Sequence, residues 1–196
     1  MALRIVGGRL SGRRFRGPGK NAKNTRPTAE RVREAVFSAL EARGRVDGTR
    51  VLDLFSGTGA LAFEALSRGA ESALAVDLDR KCVTTIRADA ASLGLEGLAT
   101  AAIDLLTAPG RVAERLGPRG PFDLVFVDPP YREAAEAPAL LEHLTAKGII
   151  DREGLIVFEH AARDELTFPA TLGVVASYRY GDTAVAFLSP AEAETT

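Results

Sequence analysis

The chain has 196 residues, 46% of them hydrophobic, a net charge of −1 and a single cysteine, Cys82. That length suits one ordinary globular domain with a buried core, and no apolar run approaches the roughly 20 residues that span a bilayer. One cysteine excludes an internal disulfide framework and a multi-cysteine zinc site, and without a secretory-type N-terminus the expected location is cytoplasmic.

In chain order, residues 3–6 and 13–16, separated by Gly7-Gly8 and Ser11-Gly12, predict a small β-hairpin. Residues 17–24 are rich in Gly, Pro, Lys and Asn and read as a loop. Thr28 is the expected N-cap of a helix in which Val32, Ala35, Val36, Ala39 and Leu40 recur at helical spacing, with Gly44 as its stop. Strands are then expected at 50–54, 72–77, 98–103, 122–127 and 154–159, alternating with helices over 58–68, 79–93, 108–116 and 133–146. Near-continuous apolar strands between amphipathic helices indicate a buried, mostly parallel sheet in an open Rossmann-like α/β fold. Runs over 172–180 and 183–189, joined at Gly181-Asp182, finish it with an antiparallel hairpin. The expected organisation is a basic N-terminal hairpin and arm over 1–27, one domain over 28–190 and a frayed tail over 191–196.

The near-zero net charge hides an asymmetry. Residues 1–50 carry 13 Lys/Arg against 4 Asp/Glu, and the remainder carries 12 against 22. No acid precedes Glu30. An anionic partner at this end follows, with Arg9, Arg13, Arg14, Arg16, Lys20, Lys23, Arg26 and Arg31 as candidate contacts. Phe15 is the only aromatic among the early charges, so phosphate contact is favoured over base stacking.

Gly57-Thr58-Gly59-Ala60-Leu61-Ala62 fits G-x-G-x-x-A at a strand–helix junction, a pattern shared with dinucleotide-binding folds. A nicotinamide or flavin dinucleotide is the rival ligand, and Asp53 weighs against it. A carboxylate beside a pyrophosphate is unfavourable, whereas S-adenosylmethionine (AdoMet) has no phosphate and carries an ammonium and a sulfonium. Asp77, closing the second strand, suits ribose hydroxyls. Asp104 follows the third strand, where it can accept from the adenine amine or cap a helix. Phe55, Ser56 and Leu78 flank these positions and complete the candidate cofactor set, and Asp79 is the expected N-cap of the next helix.

Asp128-Pro129-Pro130-Tyr131 ends the fourth strand. The lone pair of a base's exocyclic amine is delocalised into the ring, so acceptors aimed at its two N–H groups favour the pyramidal form that attacks a methyl. The Asp128 carboxylate and the Pro129 carbonyl can supply them, Pro130 stiffens the turn, and Tyr131 can stack on the base. Catalysis would then be positioning and electrostatics. Cys82, on a predicted helix, reads as packing rather than as a nucleophile. His143 and His160 form no metal constellation, and no metal is expected. Glu159, at another carboxyl strand end, is placed to border the site, with a structural salt link as the favoured expectation.

These residues resemble the RsmD family of bacterial 16S rRNA guanine-N2 methyltransferases. The likeness runs from Arg4-Ile5-Val6-Gly7-Gly8 through Arg26-Pro27-Thr28 and Arg31-Val32-Arg33-Glu34 to Tyr180-Gly181-Asp182-Thr183. The resemblance implies a seven-stranded AdoMet-binding sheet preceded by a small N-terminal extension. It also implies methylation of one guanine in 16S rRNA, within a 30S subunit or assembly intermediate, by a monomer. By that likeness Asp53, Gly57 and Gly59 meet AdoMet, Asp77 its ribose, and residues 128–131 the target base. Ser56 departs from the cysteine or alanine of many relatives, and the 17–24 loop is long. The tetrapeptide alone does not separate guanine N2 from adenine N6 of DNA or RNA. A protein-glutamine methyltransferase would have Asn at position 128, and a non-enzymatic RNA-binding module would have no use for the acidic strand ends.

Overall fold

The computed structural model describes residues 3–16, 27–130 and 132–191. Tyr131, Lys20, Lys23, Arg26, the 17–24 loop and the tail from 192 lie outside the described residues, as does the side chain of Thr28. A short pair of strands, β1 (Leu3–Arg4) and β2 (Arg14–Phe15), is followed by α1 (Pro27–Glu41). Alternation then runs through β3 (Arg50–Leu54), α2 (Ala60–Ser67), β4 (Ser72–Asp77), α3 (Arg80–Leu93), β5 (Leu98–Ala102), α4 (Pro109–Leu116) and β6 (Phe122–Val127). It ends with α5 (Ala137–Ala146), β7 (Ile150–Ala161), β8 (Leu172–Tyr180) and β9 (Thr183–Pro190). Strands β3–β9 form one seven-stranded sheet in the order β5-β4-β3-β6-β7-β9-β8. The α/β sheet with an antiparallel C-terminal hairpin and a small N-terminal hairpin is thus the fold. By contacts the chain divides into two compact units, 1–103 and 104–196.

In the first unit, β3, β4 and β5 run parallel, Leu52 opposite Leu74 and Ala75 opposite Thr100. Val51, Leu52, Leu54, Ala75 and Val76 are fully buried, which is why these strands read as continuous apolar runs. The N-terminal hairpin pairs Leu3 with Phe15 and Arg4 with Arg14 and is docked, not free. The Glu64 carboxylate, fully buried on α2, accepts from the N–H groups of Val6 (2.8 Å) and Gly7 (2.6 Å). It also accepts from Arg33 Nε (3.3 Å) and Arg68 Nε (2.8 Å). Ser67 Oγ donates to the Gly7 carbonyl (2.6 Å) and accepts from the Leu10 N–H (2.9 Å). Gly8 lies at φ 73°, and a Cβ there would fall 2.0 Å from the Ser67 carbonyl oxygen, so the close approach of the two backbones requires glycine. Phe15 is core: its ring meets Phe63 edge-on at 4.9 Å. Helix α1 starts at Pro27, ahead of the expected cap at Thr28, because proline's fixed φ suits a first helical turn.

In the second unit, β6 and β7 are parallel, with Val127 opposite Phe158. Strands β7 and β9, and β8 and β9, are antiparallel, with Tyr180 opposite Thr183 across the Gly181-Asp182 turn. Strand β7 begins at Ile150, four residues before its expected start. The register jumps from Phe122↔Ile150 to Leu124↔Leu155, so the polar Asp151-Arg152-Glu153 bulges out of an otherwise apolar strand. Helix α5 begins at Ala137 rather than 133, with Pro138 in its first turn.

Candidate active site

The glycine-rich half lies in the first unit. The chain leaves β3 through Phe55, whose φ of 58° is left-handed although it is not glycine. A bulky residue held there costs on the order of 1–3 kcal/mol and directs attention to function. The Ser56 N–H donates to the Val76 carbonyl (2.9 Å) and the Gly59 N–H to the Ser56 carbonyl (2.7 Å). Gly57 and Gly59 have φ of 50° and 74°, and Gly59 is the N-cap of α2. A Cβ at Gly59 would press on Ile86 at 3.0 Å.

Asp77, at the end of β4, ties this loop down. One carboxylate oxygen accepts from the Gly57 N–H (2.7 Å) and the other from the Asp79 N–H (2.8 Å). Asp79 caps α3 through the Lys81 N–H (2.8 Å), as expected. Asp53 is buried, and one of its oxygens accepts from the Ala62 N–H (3.2 Å) in the first turn of α2. The carboxylate expected to meet a ligand directly therefore also holds the helix that follows the loop. Leu78 is the opposite case, a large apolar side chain 67% exposed beside Asp77. The buried Ser56 hydroxyl has no hydrogen-bond partner among the described residues. A polar atom so placed, in a loop held open by two left-handed glycines, fits a small polar ligand with an apolar ring for Leu78 to cover.

The second unit holds the remaining candidates. Asp104 accepts from the N–H groups of Leu106 and Thr107 (both 3.2 Å) and from the Thr107 hydroxyl (2.5 Å). These bonds hold its carboxyl below the usual carboxylate range. Asp104 thus closes the turn ahead of α4 and does not cap that helix as expected, since the N-cap is Ala108.

Asp128 follows β6, with Pro129 buried and Pro130 exposed. The Pro130 carbonyl accepts from the Glu133 N–H (2.7 Å), closing the turn. Among the described residues no hydrogen bond ends on the Pro129 carbonyl. Asp128 keeps open surface on one side, yet the protein packed around its carboxyl withdraws it from bulk water and pushes it up to about 6. One step past the Val127↔Phe158 pair, the neighbouring strand carries Glu159. Burial, and then the charge of Asp128, push Glu159 up to about 8. Among the described residues no salt bridge includes Glu159, and the charge that acts on it is that of a second acid, Asp128. The pair titrates as a unit.

Cys82 is half-buried on α3, and burial followed by the charges of Asp77 and Asp79 raises its thiol to about 11, which leaves it a poor nucleophile. Of the basic candidates, Arg9, Arg13, Arg14, Arg16 and Arg31 are exposed. Arg16 is anchored, its N–H and its Nε reaching the Asp89 carboxylate at 3.0 and 3.3 Å. Sequence reasoning named Phe55 as a cofactor-site candidate but missed its left-handed backbone, for which no local signal exists, and the pairing of Asp128 with Glu159. Adjacency of two strands that both end in an acid was the available signal for that pair.

A sequence profile described as conserved hypothetical protein 95 matches residues 3–189. The chain belongs to that family. The relatives of this conserved hypothetical protein 95 member include YlbH of Bacillus subtilis, 36% identical over 189 residues that cover 94% of this chain and 97% of the relative. Ribosomal RNA small subunit methyltransferase D of Escherichia coli is 35% identical over 178 residues, covering 86% of this chain and 80% of the relative. The solved structure of yhhF from Escherichia coli superposes with a TM-score of 0.78 at 29% identity, covering 97% of this chain and 98% of that one. The conserved hypothetical protein 95 chain is thus a methyltransferase by family and fold, and the likeness to the RsmD group read from its motifs holds over most of its length. Among its described residues no helix is long and apolar enough to cross a membrane.

Proposed function

We propose that this chain transfers a methyl group from AdoMet to the exocyclic N2 amine of one guanine in 16S rRNA of the small ribosomal subunit. The observation that carries the reading is the Asp128-Pro129-Pro130 turn at the carboxyl end of β6, with an acid raised to about 6 and an available carbonyl beside it. The name of the Escherichia coli relative supports small-subunit rRNA as the substrate class.

AdoMet, when bound, supplies a methyl on a cationic sulfur. The Gly57–Gly59 loop and the Ser56 hydroxyl would hold it, with Asp77 facing its ribose, Leu78 covering its adenine, and Phe55 and Asp53 fixing the loop. The Asp128 carboxylate accepts one amine N–H and the Pro129 carbonyl the other, keeping the nitrogen lone pair out of conjugation. As nitrogen attacks, the amine becomes acidic and its proton passes to Asp128, whose raised pKa suits that acceptance near neutrality. Tyr131 would stack on the base. Arg9, Arg13, Arg14, Arg16 and Arg31, with Lys20, Lys23 and Arg26, would contact phosphates.

Incubation with AdoMet and 30S particles lacking the modification is expected to yield N2-methylguanine by mass mapping of 16S rRNA. Asp128→Ala is expected to lower the rate by at least about 100-fold while AdoMet binding, measured by calorimetry, persists. Methylation at adenine N6, or full activity in the variant, overturns the proposal.

A further inference from the structure

Resting on that reading, we propose that Glu159 is the residue that distinguishes guanine from adenine, its carboxyl accepting the N1–H of the target base while Asp128 accepts the adjacent N2–H. Strands β6 and β7 are parallel, and their ladder ends at Val127↔Phe158, so Asp128 and Glu159 are the next residues in step. Neighbouring strands lie about 4.8 Å apart, so the two residues are neighbours at the strand ends, close enough for the charge of Asp128 to act on Glu159. On the other flank Glu159 is opposite Val185 of β9, which is apolar and 1% exposed. Among the described residues neither acid is in a salt bridge. Two adjacent acids form an unfavourable arrangement unless something that donates hydrogen bonds faces them.

Guanine's Watson–Crick edge offers that pattern, with the N1–H donor directly beside the N2 amine. Adenine puts a bare acceptor, N1, beside its N6 amine, and cytosine puts N3 beside its N4 amine. Either would direct a lone pair at the second carboxyl group. The raised titration of both acids is consistent with one proton held between them, which still leaves an outward oxygen on each to accept. The four residues 128–131 do not contain this discrimination. The strand beside them does.

The test uses 2-aminopurine, which keeps guanine's 2-amine but has an unprotonated N1, placed in reconstituted 30S particles at the guanine that the wild-type enzyme methylates. Wild type is expected to prefer guanine by about 10- to 100-fold in kcat/KM, the range for a hydrogen bond to a charged or buried partner. Glu159→Leu is expected to narrow that preference to a few-fold, and Glu159→Gln, which keeps a carbonyl acceptor, to retain most of it. A Glu159→Leu variant that loses equal activity on both bases, or none on either, overturns the assignment. So does a wild-type enzyme that methylates both bases equally, a result independent of how any variant folds. An enzyme that methylates no guanine overturns the proposed function and this inference with it.

Discussion

Asp128 and Glu159 hold their protons more tightly in the folded chain than the unfolded values of about 4. The folded state therefore binds more protons than the unfolded one between about pH 4 and pH 8. The contribution of these two groups to stability is fully present below that window and is lost as pH rises through about 6 and then about 8. In thermal melts from pH 5 to pH 8.5, the wild-type midpoint is expected to fall more steeply than that of an Asp128→Asn, Glu159→Gln variant. Because both side chains touch water, the expected difference is on the order of a few °C. Parallel curves, or a steeper variant, reject the pairing. Asp128 was legible in the sequence because four residues with distinct chemistry follow an apolar run. Glu159 was legible only as an acid at a strand end beside the site, since such a residue looks the same whether its neighbour is an arginine or an aspartate.

The buried Glu64 carboxylate determines how the N-terminal hairpin and α1 attach to α2. Its four donors include the guanidinium groups of Arg33 and Arg68, each 7% exposed. Glu64→Ala would take the carboxylate partner from Arg33 and leave Arg68 with Glu41 (2.8 Å), and removal of one partner from a buried pair costs about 3–5 kcal/mol. Chemical denaturation is expected to show a loss of that size, with a smaller one for Glu64→Gln, which keeps the hydrogen-bonding shape. A loss below about 1 kcal/mol would mean that water takes the place of the carboxylate. The elements themselves were largely legible: β3, β4 and β6 coincide with their apolar runs, and α3 starts after its Asp79 cap. Misjudged boundaries have local causes, the polar bulge at 151–153 in β7 and Pro138 in α5. Glu64 was not legible, because a glutamate amid Ala, Phe and Leu on a short helix gives no sign of facing inward.

At the scale of the whole molecule, part of the excess of 13 basic over 4 acidic residues in 1–50 sits on the expected hairpin. The hairpin is fixed, and Arg9, Arg13 and Arg14 project from a docked turn and strand. Deleting it would expose Glu64 and Ser67, so substitution is the cleaner experiment. Changing Arg9, Arg13 and Arg14 to Gln is expected to weaken RNA binding and to flatten log K against log salt by about 2, at roughly 0.7 per lost single-strand contact. An unchanged slope assigns these arginines to the solvent. The family-specific ends of the chain were readable as motifs, and their physical meaning emerged only in the fold. Gly8 is where two backbones touch, and Gly181-Asp182 turns β8 into β9.

The docking of Val6 on Glu64 also imposes an order in time. The two residues are 58 positions apart, and Arg16 is 73 from Asp89. At 5–20 residues per second of synthesis, Val6 waits roughly 3–12 s before its partner has been made. Throughout that interval the N–H groups of Val6 and Gly7 lack the carboxylate they donate to in the finished fold, although Glu30, the partner of Arg4, has already been made. The hairpin can therefore dock only after α2 has been made, which places its closure late in the assembly of the first unit.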